Sequence, residues 1–292
     1  MHRKHSLLGL LAGLGAASIW GGMYVVSKVV LEVIPPFALL STRLVLGILA
    51  LGVVVALRPK PNLDAKQAWQ IFRVGVVGYG VSLGFQFVGT KLSTASNGSL
   101  VTSATPAFIL LFAPLLLGEK ATPRGLIALF VSTLGVLAVI DPRTAELSPS
   151  LFWGNLSLLA AALTWALYSV LVRKVTRSLD IILPTAIMLA GGLPSSLAFG
   201  AWELNTQGLG PITPGVIGGI LFLGIVSTAL AMFLWNYAFA ELPAAVASLT
   251  FFAQPVVGTI LGALFLGEII TPLFLFGGLL IGAGLVIAST EK

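Results

Sequence analysis

The chain has 292 residues, of which 57% are hydrophobic and only 9% are charged, and its mean hydropathy is +1.04. Soluble domains carry about 25% charged residues, so this composition excludes a water-soluble globular protein and indicates a chain that is solvated by lipid. The absence of cysteine excludes disulfide and thiol chemistry, and a net charge of +6 on such a chain sets membrane orientation rather than nucleic-acid binding.

Apolar runs long enough to cross a bilayer follow one another along the whole chain. A spanning helix needs about 20 apolar residues. By that criterion the sequence predicts an all-α integral membrane protein with ten transmembrane helices, at residues 7–33, 36–57, 68–90, 93–117, 123–141, 152–174, 180–200, 214–239, 243–266 and 271–289. The links between them are short, so no separate soluble domain is expected.

One polar hairpin signature interrupts the apolar runs twice, about half a chain apart. Pro106 is followed twelve positions later by Gly118-Glu119, and Pro255 is followed at the same distance by Gly267-Glu268. Each copy then continues into Thr-Pro and another apolar run. An internal match at a fixed spacing indicates two similar halves, which we place at residues 1–146 and 147–292.

The local chemistry of each copy predicts two helices joined by a tight turn. Gly118 and Gly267 suit a left-handed helix end. In the second copy Thr271 is then the N-cap and Pro272 the first-turn residue of the next helix, and Thr122-Pro123 has these roles in the first copy. The glutamate of each copy is expected near the N-terminal dipole of that second helix.

The two halves are expected to have opposite orientations in the membrane. Five helices per half is an odd number, so the second half enters from the other side. Twelve basic residues fall on the side of the N-terminus and four on the opposite side, which predicts that both termini are cytoplasmic. Inverted repeats recur in secondary transporters that work by alternating access, and channels contain them too.

Taken together, these features resemble a known family. Ile19-Trp20-Gly21 late in the first helix, the paired hairpins and the five-plus-five layout are similar to the drug/metabolite transporter superfamily, in its ten-helix EamA branch. The resemblance implies export of amino acids, other metabolites or toxic compounds, with aromatic amino-acid exporters as the nearest group. It also implies a central cavity lined by helices one, three, four, six, eight and nine. Trp20 and Gly21 are then cavity-facing and packing residues, and Pro106 and Pro255 are kink positions.

Aromatic and polar side chains in the middle of the same helices mark a candidate cavity independently of the family. Tryptophan and tyrosine normally collect at the membrane surfaces, so their presence at mid-depth beside amides and hydroxyls needs a polar environment. The candidate substrate-binding residues are Trp20, Tyr24, Lys28, Tyr79, Ser82, Gln86, Asn97, Trp165, Tyr168, Trp235, Ser248, Phe251 and Gln254.

Several of these residues have an alternative role. Hydroxyl groups in membrane helices commonly bond to their own backbone, and a lone tryptophan can simply pack between helices. Lys28 is either a snorkelling anchor or a cation for a substrate carboxylate, and Arg43 is expected to be an anchor in the outer leaflet.

The sequence carries no sign of an enzyme. It has no Walker motif, its only histidines are His2 and His5, and no metal set or catalytic triad can be assembled, so no cofactor is expected. No acidic residue lies well inside a predicted span, which favours uncoupled, downhill transport. A proton-coupled drug or metabolite efflux carrier and a channel-like pore for small solutes remain the alternatives.

The sequence therefore predicts a secondary transporter of the bacterial inner membrane that exports small metabolites by alternating access. A cavity of indoles, phenols and amides suits small neutral or zwitterionic solutes with apolar or aromatic parts, and the family resemblance implies neutral and aromatic amino acids among them. Its expected partners are the solute and membrane lipid, without nucleic acid, and the chain is expected to be a monomer or a weak homodimer.

Overall fold

The structure is a computed structural model that describes residues 2–58, 63–118, 123–140, 148–176, 179–242, 244, 247 and 250–289. Within these ranges the chain forms helices and connecting turns, and no strand occurs. The predicted all-α class is therefore confirmed for the described residues.

Eleven helices of eight residues or more follow one another in the described ranges. They are α1 (His2–Val30), α2 (Pro36–Ala56), α3 (Ala65–Leu92), α4 (Ala95–Thr102), α5 (Thr105–Leu117), α6 (Pro123–Ile140), α7 (Pro149–Val175), α8 (Ile182–Gln207), α9 (Pro214–Glu241), α10 (Ala253–Leu266) and α11 (Pro272–Ser289).

Seven helical stretches of the described chain are long and apolar enough to cross a membrane. They begin at Leu7, Pro36, Ala65, Ala95, Pro149, Ile182 and Pro214, and the fourth of them combines α4 and α5. Two shorter apolar helices, Ala253–Leu266 and Pro272–Gly284, follow. The layout of ten spans in two inverted halves stays a prediction.

The local hairpin chemistry is confirmed where the structure describes it. Gly118 and Gly267 end their helices with φ of 70° and 64°, a left-handed conformation that glycine adopts without steric cost. The Thr271 hydroxyl accepts a hydrogen bond from Phe274 N at 3.1 Å, so Thr271 caps α11 ahead of Pro272. Glu119 and Thr122 lie outside the described residues.

The two candidate kink prolines stand just after a break in the helix rather than at its centre. Pro106 occupies the first turn of α5, and the preceding turn at residues 103–104 separates α4 from α5. Pro255 lies in the first turn of α10, which follows a 3₁₀ turn at Thr250–Phe252. A proline has no N–H to donate, so the first turn is where a helix tolerates it best.

Two helices contain a π-helical segment at mid-length. In α3 it covers Val76–Ser82, and in α9 it covers Phe222–Leu230. A π segment has wider turns than an α-helix and is frequently found at functional sites. Residues on either side of such a segment no longer follow the 3.6-residue periodicity that a sequence pattern assumes.

Close glycine contacts fix how the helices cross. A Cβ on Gly21 of α1 would lie 2.7 Å from Gln254 O of α10, and a Cβ on Gly75 of α3 would lie 2.0 Å from Met188 O of α8. Backbones that approach this closely exclude any side chain, which is how small residues bring membrane helices together. These crossings place α1, α3 and α10 around one central space.

Candidate functional site

A narrow cavity lies between α1, α3, α4, α5, α7, α9 and α10. Its empty volume is about 340 Å³, but the centre of a water molecule could move within only about 20 Å³ of it. That space holds about one water, so the helices are closed around the site. The lining residues are Trp20, Met23, Tyr24, Ser82, Leu83, Gln86, Thr102, Thr105, Ala161, Ala162, Trp165, Met232, Phe251 and Gln254.

Aromatic rings form one wall of this cavity. The Trp20 ring centroid lies 5.6 Å from that of Trp165, 5.4 Å from that of Trp235 and 5.9 Å from that of Phe251. Trp20 Nε1 donates to Ser227 O at 3.0 Å. Edge-to-face and tilted pairs of this kind add about 0.5–1.5 kcal/mol each beyond burial, so the wall is a rigid apolar surface.

Amide and hydroxyl groups form another part of the lining. The Thr102 hydroxyl donates to Gly98 O at 2.6 Å, so it accepts from both Gln254 Nε2 at 2.7 Å and the Tyr24 hydroxyl at 2.8 Å. Gln254 Nε2 also donates to Ser99 O at 3.1 Å. This buried network fixes both side chains beside the cavity.

Three of the candidate residues lie behind the cavity wall. The Tyr79 and Tyr168 hydroxyls are 2.6 Å apart, and the Tyr168 hydroxyl donates to Asn236 Oδ1 at 3.0 Å. Both tyrosines are fully buried, and Trp235 packs against Trp20 and Phe251. Asn236 belongs to the same network and donates to Thr185 Oγ1 at 3.0 Å. These groups support the lining without forming its surface.

Lys28 and Asn97 lie at one end of the bundle, which we call the Glu268 end. Lys28 Nζ donates to the carbonyl oxygens of Thr90, Lys91 and Ser93, at the C-terminal end of α3. A cation near the carbonyl end of a helix stabilises it through the helix dipole. Asn97 Nδ2 donates to Asn155 Oδ1 at 3.2 Å. In this conformation Lys28 therefore ties α1 to α3 and does not reach the cavity.

Glu268 corrects the expectation for the hairpin glutamate. Its carboxylate accepts from Ala95 N at 2.6 Å, from Ser96 N at 2.8 Å and from the Ser96 hydroxyl. It therefore caps the N-terminus of α4, not that of α11, the second helix of its own hairpin. The free N–H groups of α4 attract the carboxylate across the bundle, a contact that local sequence chemistry could not indicate.

A related contact lies at the opposite end of the bundle, which we call the Arg173 end. Arg173, near the C-terminus of α7, donates from Nη1 to Leu242 O, just after α9 ends. Lys28 lies eight residues after Trp20, and Arg173 lies eight residues after Trp165. The two cations thus bind equivalent carbonyl positions, after α3 and after α9, at opposite ends.

Arg43 is the buried residue that the sequence pattern missed. The expected outer-leaflet anchor is wrong, because Arg43 is 0% exposed and faces the bundle interior. Its Nε donates to the Thr228 hydroxyl at 2.7 Å, and its guanidinium carbon lies 5.0 Å from the centroid of the Phe87 ring. A charge inside a membrane bundle is costly and usually functional, which is the signal that could have singled it out.

Glu203 is an acidic residue near the end of a helix that the sequence placed just outside the predicted span. The helix predicted to end at residue 200 continues to Gln207, so Glu203 lies within α8 and is 5% exposed. Its carboxylate accepts from Phe37 N at 2.7 Å and Ala38 N at 3.1 Å, at the start of α2. It is therefore a helix cap and is not part of the cavity lining.

The remaining candidates divide by position. Seven of the thirteen predicted binding residues line the cavity together: Trp20, Tyr24, Ser82, Gln86, Trp165, Phe251 and Gln254. The kink residues Pro106 and Pro255 are not among the lining residues, although their neighbours Thr105 and Gln254 are. Ser248 lies outside the described residues.

The cavity contains no group that binds metals tightly. Its lining residues include neither acidic side chains nor histidine, and no cluster of three or more His, Cys, Asp or Glu residues occurs in the described ranges. Carbonyl, amide, hydroxyl and indole groups can orient a small polar solute but provide no nucleophile paired with a base.

Comparison with known proteins gives a consistent picture over the whole chain. The pattern of the EamA-like transporter family matches residues 7–140 and again residues 152–290. A protein of Salmonella typhimurium named "Probable amino-acid metabolite efflux pump" is 29% identical over 98% of this chain and 95% of its own length. A protein of Archaeoglobus fulgidus named "Uncharacterized transporter" is 25% identical over 99% of this chain and 98% of its own length.

A solved crystal structure has the same fold. It superposes with a TM-score of 0.68 and covers 97% of this chain and 98% of its own, at 21% sequence identity.

Proposed function

The chain belongs to the EamA-like transporter family, and from that premise we propose that it exports neutral and aromatic amino acids across the bacterial inner membrane. The proposal includes ten spans in two inverted halves, alternating access to one cavity, and movement of the solute down its own gradient. Both termini lie in the cytoplasm in this arrangement, and the Glu268 end faces outward.

The proposed substrate class rests on the residues that line the cavity. Trp20, Trp165 and Phe251 offer an apolar aromatic surface, while Gln86 and Gln254 offer amides. Such a surface suits a small solute with an aromatic or aliphatic side chain and a polar end, and it lacks the acidic group that a strongly cationic drug would require. The name of the Salmonella typhimurium relative is in keeping with an amino-acid substrate.

Contacts at both ends of the bundle support alternating access. The cavity has room for about one water, so a solute can enter only if one end opens. Lys28 ties α1 to the end of α3 at the Glu268 end, and Arg173 ties α7 to the end of α9 at the Arg173 end. Equivalent contacts at opposite ends are what two inverted halves would produce, and they allow one end to open while the other stays closed.

The location of the acidic groups supports uncoupled transport. Proton-coupled carriers usually place a titratable carboxylate at the transport site. Here the carboxylate of Glu203 is bound to the N-terminus of α2 and that of Glu268 to the N-terminus of α4, and neither residue lines the cavity. Export of a metabolite that accumulates inside the cell needs no second gradient.

Counterflow in liposomes tests this function. Vesicles with the purified protein are preloaded with unlabelled L-phenylalanine, L-leucine or putrescine, and uptake of the corresponding labelled solute is followed without a pH gradient. We expect saturable, transient accumulation for the two amino acids and none for the diamine. A channel would give no transient accumulation, and absence of amino-acid exchange would contradict the proposal.

Shortening the Gln254 side chain tests whether the cavity is the transport site. Gln254→Ala removes the amide that donates to Thr102 Oγ1 and Ser99 O, so each of these oxygens accepts one hydrogen bond fewer. We therefore expect counterflow to fall at least about tenfold, with less than a twofold change in membrane expression. Trp20→Ala and Trp165→Ala should also lower counterflow. Trp153→Ala is the control, because Trp153 is 63% exposed on α7. Counterflow at the unmodified rate in Gln254→Ala, Trp20→Ala and Trp165→Ala would remove the assignment of the cavity.

A further inference from the structure

The guanidinium of Arg43 is buried in the bundle without an acidic partner among the described residues. All of its hydrogen bonds go to neutral acceptors: the Thr228 hydroxyl, the Ser227 hydroxyl at 3.3 Å, Ser227 O at 3.4 Å and the thioether of Met23. Arg43 is 0% exposed, so bulk solvent does not reach the guanidinium. A buried cation without a counter-ion is unfavourable unless a ligand supplies the negative charge.

Two donors meet at the Met23 sulfur. Arg43 Nη1 and Gln86 Nε2 each lie 3.5 Å from Met23 Sδ. A thioether sulfur is a weak acceptor, whereas a guanidinium and an amide are strong donors. Their convergence on one sulfur therefore marks a place where an oxygen acceptor would bind better than the group that occupies it.

Met23 separates Arg43 from the cavity. Met23 and Gln86 both line the cavity, whereas Arg43 lies directly behind Met23. Methionine has three rotatable bonds and changes rotamer at low cost. A change of the Met23 rotamer would expose Nη1 of Arg43 and Nε2 of Gln86 to a solute in the cavity.

A third side chain that lines the cavity has an unpartnered donor. Trp165 Nε1 has no hydrogen-bond partner among the described residues, although the side chain is only 6% exposed. The contrast with Trp20 is clear, because Trp20 Nε1 is bound to Ser227 O. A buried indole N–H without an acceptor costs free energy, so a ligand that accepts from it binds more tightly.

We propose that Arg43, Gln86 and Trp165 form the subsite for the carboxylate of the transported solute. The carboxylate displaces the Met23 side chain, accepts from Arg43 Nη1 and Gln86 Nε2, and completes the hydrogen bond of Trp165 Nε1. A carboxylate oxygen accepts from guanidinium, amide and indole donors alike, and its negative charge neutralises the buried arginine. This subsite rests on the function proposed above and names the group of the amino acid that the protein recognises, its carboxylate.

The test compares an acid with its amide. Counterflow of labelled L-phenylalanine is measured in vesicles preloaded with unlabelled L-phenylalanine or L-phenylalaninamide. In the unmodified protein we expect the acid to be at least about tenfold more effective, because the amide lacks the negative charge. Arg43→Met and Gln86→Leu should each reduce this preference to about threefold or less, and Arg43→Lys should keep an intermediate preference.

The Trp165→Phe variant keeps the ring and removes only the N–H. We expect it to lower the effectiveness of the acid about threefold and to leave that of the amide unchanged. Trp153→Phe on the same helix is the matched control. If Arg43→Met does not reach the membrane, Gln86→Leu and Trp165→Phe still decide the question, because neither removes a buried charge.

The possible outcomes separate this inference from the proposed function. Equal exchange of acid and amide by the unmodified protein, or a full acid preference in Gln86→Leu and Trp165→Phe, overturns the carboxylate subsite alone. Absence of exchange for every amino acid overturns the proposed function and the subsite together.

Discussion

Replacement of Gly75 by valine is expected to prevent most of the protein molecules from folding. A Cβ at this position would lie 2.0 Å from Met188 O and 2.6 Å from the Met188 carbonyl carbon, so the backbones of α3 and α8 would have to separate. Overpacking typically costs 1–3 kcal/mol and occasionally more, and a clash with backbone rather than a flexible side chain puts the cost at about 3 kcal/mol or above. Ser82 of the cavity lining follows two turns later in α3, so the lining would shift as well.

The measurement is the fraction of monodisperse protein after detergent extraction, with the midpoint of thermal unfolding as the second readout. Gly52→Val is the matched control. It adds the same side chain at an exposed glycine of α2, where no atom lies within 4 Å of the added Cβ. A Gly75→Val protein as monodisperse and as heat-stable as Gly52→Val would show that the α3–α8 contact is looser than described.

Replacement of Glu268 by alanine is expected to open the Glu268 end. The carboxylate accepts from two backbone N–H groups and one hydroxyl of α4, and hydrogen bonds to a charged group contribute about 1.5–3 kcal/mol each. In the proposed alternating-access cycle, a net loss of about 2 kcal/mol from the closed arrangement, the contribution of only one such bond, would shift the equilibrium towards the open arrangement by about thirtyfold. This change acts on conformation and leaves every residue of the cavity lining in place.

The cysteine-free sequence makes this shift measurable with one introduced thiol. Ala162→Cys places the thiol on the cavity lining, and a membrane-impermeant maleimide is added from the side of the Glu268 end. We expect labelling to be at least about tenfold faster when Glu268→Ala is combined with Ala162→Cys. Glu32→Ala is the control, because Glu32 is an exposed carboxylate that follows α1 near the same end. Unchanged labelling in the Glu268→Ala protein would rule out a role for this carboxylate in closure.

The features that depend on neighbouring residues could be predicted from the sequence. Gly118 and Gly267 end their helices in the left-handed conformation, and Thr271 caps the helix that starts at Pro272. Each of these outcomes follows from a few adjacent residues and their hydrogen-bonding capacity. The apolar runs likewise predicted helices whose described ends differ by only a few residues, except at the end of α8 and at the start of α10.

Features that depend on distant residues could not be predicted in this way. Glu268 binds to Ala95 and Ser96 across the bundle, and Lys28 binds to carbonyls at the end of α3. Arg43 lies only about 10 Å along the helix axis from Pro36, the first residue of α2. A basic residue so close to a helix end is expected to anchor at the membrane surface, unless the direction of its side chain is known. Which face of a helix points into the bundle depends on the helices packed against it. These neighbours cannot be identified from the sequence of that one helix.

The π segment of α3 explains a further difference. In a regular α-helix, Tyr79, Ser82 and Gln86 would lie on one face, because they are separated by three and four residues. In the structure Ser82 and Gln86 line the cavity, whereas Tyr79 lies behind it in the network with Tyr168 and Asn236. Wider turns between residues 76 and 82 change the direction of the earlier side chains relative to the later ones.

The π segments also have a mechanical consequence. Val76–Ser82 lies in the middle of α3 and Phe222–Leu230 in the middle of α9, one in each of the two regions that match the family pattern. Sharp bends in helices concentrate at such places, because the regular ladder of i to i−4 bonds is interrupted there. Bending of α3 and α9 is therefore expected at the π segments, at the depth of the proposed binding site. The α-helical sections on either side of each π segment would then move as rigid bodies.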